Sequence, residues 1–150
     1  DFFTPDATVP RGEAALSGGR LTESKHHDRA IDIAHADHRP IRIAGEGPER
    51  ASLEEYARAQ GAAVTFLGPL TQPQLRDEYR KAAYLIHTST TGSMDKVVLE
   101  ALATDTPVKT ESAVYKDFPV AAKERAAYIR THHALSNLIP KILSFYERPR

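Results

Sequence analysis

Five short apolar runs, at residues 15–17, 40–44, 63–67, 83–87 and 108–110, are each separated from the next by a stretch with helical spacing. This alternation constrains the fold more than any other feature, because no two runs are close enough to pair through a hairpin. Each strand must be reached by a crossover, which makes neighbours parallel and places helices on both faces of the sheet. Gly18-Gly19, Gly45-Glu46-Gly47-Pro48 and Gly68-Pro69 close the first three runs. Such short, bounded runs are expected to be buried on both faces. The predicted class is therefore α/β, a doubly wound parallel sheet.

The intervening helices are read from their apolar positions. Residues 26–36 carry Ala30, Ile31, Ile33 and Ala34; residues 49–60 carry Leu53, Tyr56 and Ala57, with Gly61 as the C′ residue; residues 73–81 carry Leu75 and Tyr79. Further helices are expected at about 117–130 and 134–147. Residues 1–14 are Pro-rich and irregular, an arm leading into one domain over 15–150. The chain starts without Met and reads as a fragment of a larger protein.

In sheets of this kind ligands sit beyond the carboxyl ends of the strands, and four glycine-containing segments fall there. The most informative is the stretch from Thr90 to Val108. A small polar loop with Gly92 runs into an apolar helix whose one acid is Glu100, and the helix breaks at Thr104-Asp105-Thr106-Pro107. Backbone N–H groups at such a helix start favour phosphate, and an acid further along can accept bonds from sugar hydroxyls. Phe66 is assigned to the core and His87 to a packed, hydrogen-bonded strand end.

Several function classes find no support. Lys+Arg and Asp+Glu both number 20, so nothing in the bulk charge calls for a nucleic-acid partner. Cys is absent, which removes disulfides and thiolate metal sites. The pairs His26-His27 and His132-His133 are adjacent, and neighbours on a helix do not face one another, so no metal site is predicted. No G-x-S-x-G, Walker A or full G-x-G-x-x-G occurs. No apolar run approaches the roughly 20 residues that span a bilayer, so membrane association is not visible.

Four ordered motifs, GGRLTESK, IRIAGEGPE, VTFLGPL and TSTTGSMDKVVLEALATDTPV, resemble the C-terminal domain of family 4 glycosyltransferases of the GT-B fold. The opening DFFTP is similar to the segment after their interdomain linker, and the resemblance covers roughly residues 1–110. It implies a Rossmann-like domain, the C-terminal half of a GT-B enzyme, that binds a nucleoside diphosphate sugar (NDP-sugar). It also implies an N-terminal acceptor-binding domain, which this chain lacks. The implied activity is retaining hexosyl transfer to an acceptor hydroxyl in polysaccharide biosynthesis, in the cytoplasm or at the cytosolic face of a membrane. Neither cofactor nor metal is implied.

Carried onto this chain, the resemblance assigns Arg20 and Lys25 to the donor diphosphate and Glu100 to the ribose. Gly92, Ser93, Met94, Asp95, Lys96 and Val97 fall at the sugar and distal phosphate, with N–H groups from Ser93, Met94 and Asp95. Gly45 and Gly47 let backbone approach the ligand on the base side, together with Leu67 and Gly68. One departure stands out: the first acid of the family's E-x7-E pattern falls on Gly92, and the nearest carboxylate is Asp95. An epimerase of the same architecture and a non-catalytic module stay open, the missing acid favouring the latter.

Overall fold

The computed structural model describes residues 2–92, 94–115, 127–129 and 131–132. Strand and helix alternate as β1 (Ala15–Gly18), α1 (His27–Ala36), β2 (Ile41–Ala44), α2 (Arg50–Gln60), β3 (Val64–Gly68), α3 (Gln72–Lys81), β4 (Leu85–His87), α4 (Lys96–Ala103) and β5 (Val108–Thr110). Short 3-10 turns occupy Glu23–Lys25 and Ala113–Tyr115. All four strand pairings are parallel, and the order across the sheet is β3-β2-β1-β4-β5. The doubly wound parallel sheet expected from the alternation is what forms. The two C-terminal helices expected at 117–130 and 134–147 lie largely outside the described residues, of which 127–129 and 131–132 are helical.

Successive side chains of a strand point to opposite faces, and the core divides accordingly. Leu16 and Leu85 face α3 and α4, packing with Tyr79, Val98, Ala101 and Leu102. Ala15, Ile41, Ile43 and Ile86 face α1 and α2, packing with Ala30, Ile31, Leu53 and Ala57. Each buried Leu or Ile contributes about 1.5–3 kcal/mol of transfer free energy. The helices meet the sheet through the apolar stripes read from their spacing.

β3 departs from the expectation that every strand is buried on both faces. It is an edge strand without a buried residue, and Thr65 is exposed. Phe66, assigned to the core, is half-buried, and the Arg50 guanidinium lies 4.6 Å above its ring. Two strand starts also move inward. Pro40 has no N–H to give a ladder, so β2 begins at Ile41; Ala83 N–H donates across to Ala14 O at a bend before β4 begins at Leu85. α3 starts at Gln72, with Pro73 in its first turn and the Gln74 side chain accepting the Thr71 N–H at 2.9 Å.

At the amino ends of the strands the N-terminal arm is docked on the domain. Phe3 packs on the Tyr79 cluster. The Arg11 guanidinium donates to the carbonyls of Tyr79, Ala82 and Asp105 at 3.3, 3.0 and 2.7 Å. The opposite pole, where the strands end, is left for the long loops.

Candidate functional site

The strand order reverses direction between β1 and β4. From β1 the chain winds outward to β2 and β3, then returns to lay β4 on the other side. The loops following β1 and β4 therefore rise side by side above the sheet at this switch point, where a ligand crevice is expected. The first of these loops carries Arg20 and Lys25, and the second carries Gly92 and Asp95, with Lys96 and Val97 opening α4. Their approach was not legible from spacing alone, since it depends on which strands become neighbours.

Several contacts stitch the two loops together. Thr88 Oγ1 donates to the carbonyls of Lys25 and His26, both at 2.9 Å. Thr90 N–H donates to Ser24 O at 3.3 Å, and His26 Nε2 lies 3.2 Å from Thr90 Oγ1. His26 holds a left-handed backbone, φ 49°, at the entry to α1. Such a conformation is costly for a residue with a Cβ and persists where its surroundings over-determine it.

Lys25 and Asp95 form the centre of the arrangement. Lys25 Nζ sits 2.7 Å from Asp95 Oδ2 and 3.4 Å from Ser89 Oγ. His87 Nε2 donates to the same Asp95 oxygen at 2.8 Å, and Thr110 Oγ1 lies 3.1 Å from His87 Nδ1. Partial burial pushes the Asp95 carboxyl up, but the bonds from Lys25 and His87 outweigh it and hold the group below the usual carboxylate range. His87 is thus the packed, hydrogen-bonded strand end expected of it, with the Tyr115 ring edge-on at 5.4 Å.

The remaining site residues take distinct positions. Arg20 is exposed, and its side chain has no ion pair among the described residues. Glu100 is buried; its oxygens meet Lys96 Nζ and the Tyr79 hydroxyl, both at 3.1 Å. Burial, reinforced by the Glu100 carboxylate, pushes the Tyr79 phenol far above its ordinary value, so it stays a donor. No contact among the described residues joins Glu100 to Arg20 or Lys25. Met94 is exposed, and Val97 packs beside Gly18. Ser93 lies outside the described residues.

Two of the assigned loop features already have partners within the protein. Asp95 was to offer its N–H to a ligand, but that N–H donates to the Tyr115 hydroxyl. Gly45 and Gly47 were to clear space for a ligand. A Cβ on Gly45 would lie 1.9 Å from Gly19 O, and one on Gly47 2.2 Å from Leu21 O. What these glycines admit is the backbone of the β1 loop, which bonds across through Gly19 N–H to Ala44 O and Leu21 N–H to Glu46 O. Leu67 is half-buried against the Tyr79 cluster, and Gly68 closes β3 at φ 70°.

His27, which the motifs do not single out, lies beneath the β1 loop. It opens α1, is 3% exposed, and lies on the stripe of Ala30, Ile31 and Ala34, a spacing that marks it as inward-facing. Its Nε2 is 3.3 Å from Arg20 O and its Nδ1 3.0 Å from Ser17 Oγ. A carbonyl only accepts, so Nε2 carries the proton and Nδ1 accepts from Ser17. Burial drives the imidazole pKa down to about 4.

A cavity of about 580 Å³ opens beside the crevice, walled by Arg29 and Ile33 of α1 and by residues after β4 and β5. Among the described residues of the assigned set, Gly92 lines it, beside Thr88, Ser89 and Thr90 of the same loop. No cluster of three His, Asp or Glu side chains suited to a metal ion occurs among the described residues. No helix among them is long and apolar enough to cross a membrane.

Against known proteins, residues 14–131 match the family model described as glycosyl transferases group 1. No curated protein sequence matches. Among solved structures, AviGT4, a glycosyltransferase involved in avilamycin A biosynthesis, superposes with a TM-score of 0.80 at 18% identity, over 97% of this chain and 54% of that one. Alr3699/HepE of Anabaena, solved in complex with UDP-glucose, gives 0.77 at 14% identity over 97% and 54%. The C-terminal domain of a group 1 family protein (LpcC) from Francisella tularensis gives 0.65 at 17% identity over 97% and 89%. The chain thus spans about half the length of the first two and nearly all of the isolated C-terminal domain.

Proposed function

The chain belongs to the group 1 glycosyl transferases, and from that premise we propose that it is the domain that binds the sugar donor, a nucleoside diphosphate sugar. The observation that carries the reading is the convergence of the β1 and β4 loops at the sheet's switch point, with Arg20 exposed and Lys25 held between them. An anion entering this crevice meets two cations and the start of α4. Arg20 and Lys25 take the diphosphate, Lys25 exchanging Asp95 for phosphate oxygen. Glu100 takes the ribose hydroxyls, and the loop from Gly92 faces the sugar. In the whole protein the reaction is retaining transfer of a hexosyl unit to an acceptor hydroxyl, the acceptor being held by a second domain. Stabilising the departing nucleoside diphosphate falls to the same cations.

UDP-glucose in the HepE structure makes UDP the first ligand to try. Calorimetric titration of the chain with UDP, GDP and ADP tests the reading. One nucleotide is expected to bind saturably, and Arg20→Ala, Lys25→Ala and Glu100→Ala are each expected to weaken it at least tenfold, or about 1.4 kcal/mol. Binding unchanged in all three variants would remove the site from this crevice.

A further inference from the structure

Arg20 is an exposed cation of the proposed site and its side chain has no ion pair among the described residues, so its aim depends on the backbone beneath it. That backbone is unusual. Gly19 turns at φ 136°, with open space where a Cβ would be, and the chain passes over the end of β1 without helix or strand until Glu23. From the β2 side the loop is anchored by Gly19 N–H on Ala44 O, Leu21 N–H on Glu46 O, and Glu49 N–H on Leu21 O. From the α1 side, the anchor among the described residues is His27 Nε2–H on Arg20 O, a carbonyl that also accepts the Thr22 N–H at 2.9 Å.

A buried imidazole on an otherwise apolar stripe is costly to desolvate, and an aliphatic residue there would pack without that cost. What the imidazole adds is a donor at a fixed distance, with its tautomer set by Ser17 on the far side of the ring. β1, the loop and the start of α1 are tied through one ring. We propose that His27 is a positioning residue for donor binding: its Nε2–H holds the Arg20 carbonyl and so sets the loop that presents Arg20 to the diphosphate. The proposal rests on the donor-site reading above for its functional half and on geometry for the rest.

The test separates the two ring nitrogens. In His27→Gln the amide nitrogen replaces Nε2 and keeps the Arg20 bond; in His27→Asn the amide replaces Nδ1 and keeps only the Ser17 bond. Amide hydrogen exchange over residues 19–22 and UDP affinity are measured on both, with urea unfolding as the control for global stability. His27→Asn is expected to speed loop exchange and to weaken UDP at least tenfold, with His27→Gln within threefold of the parent on both. Double variants carrying Arg20→Ala are expected to show a much smaller His27→Asn effect on UDP, because the loss acts through Arg20. Equal behaviour of the Asn and Gln variants, or an unchanged loop, overturns the proposal. If Arg20→Ala leaves UDP affinity unchanged, the donor-site reading has failed, while the exchange data still decide whether His27 holds the loop. Nitrogen-15 NMR of the parent imidazole needs no variant: a proton on Nδ1 with Nε2 bare overturns the assignment.

Discussion

The neutral, buried state of His27 has a measurable cost in acid. Its folded pKa, about 4, lies below the ordinary 6.5, so as pH falls the unfolded chain takes up the proton first. The stability it carries is complete above pH 6.5 and is lost between 6.5 and 4, about 3 kcal/mol in all. Asp95, held below its ordinary value, acts in the same direction at lower pH. Urea unfolding at pH 7.5, 5.5 and 4.5 should show the loss, and His27→Gln should flatten it between the first two; an unchanged slope refutes the assignment. Gly45 offers a second test at this scale. A Cβ at 1.9 Å from a carbonyl, on a residue with φ 137°, must displace the β1 loop, so Gly45→Ala should cost roughly 3 kcal/mol and weaken UDP binding. In the sequence this glycine was visible but its purpose was not. Clearance for a ligand and clearance for another strand's loop demand the same missing side chain, and only the paired backbone tells them apart.

Among the elements, α1 and α2 end in the same way with different residues. At α1, Arg39 N–H bonds Ala34 O and His38 N–H bonds His35 O; at α2, Ala62 N–H bonds Ala57 O and Gly61 N–H bonds Arg58 O. Both are Schellman closures, which place the C′ residue in the left-handed region. Gly61 sits there at φ 65° without strain, whereas His38 sits there at φ 54° and is exposed. His38→Gly should therefore stabilise the chain by about 1 kcal/mol, and Gly61→Ala should cost a similar amount. Thermal unfolding reads both, as opposite shifts of roughly 2–4 °C. The glycine stop was legible and the histidine stop was not, since nothing in residues 36–39 announces a left-handed turn. The strands show the same division. Their existence and parallel sense followed from crossovers of helical length. The exposed edge position of β3 did not, because its run VTFLG is as apolar as those of the interior strands.

The molecule as a whole has two poles with separate tasks. Arg11 binds the carbonyls of Tyr79, Ala82 and Asp105, among others, at the amino ends of the strands, far along the sheet from the loops that carry Arg20 and Lys25. Arg11→Ala should thus lower stability by roughly 2–3 kcal/mol, the scale of charged hydrogen bonds, and leave UDP affinity unchanged. Urea unfolding and calorimetry on that variant check both halves; a lost affinity would mean that the poles communicate. The motifs could be placed at strand ends from the sequence, but their meeting could not, because it requires β4 to join β1. That late joining bears on how the protein is made. β1 pairs with β2 on one side, residues already close behind it, while its other partner lies at Leu85. A chain emerging from the ribosome can assemble β1, β2 and β3 and still carry the open edge of its central strand, a template for mispairing until β4 arrives. Translation pausing before that point, or truncation there, should yield aggregates, and rapid synthesis through residue 87 should yield folded protein.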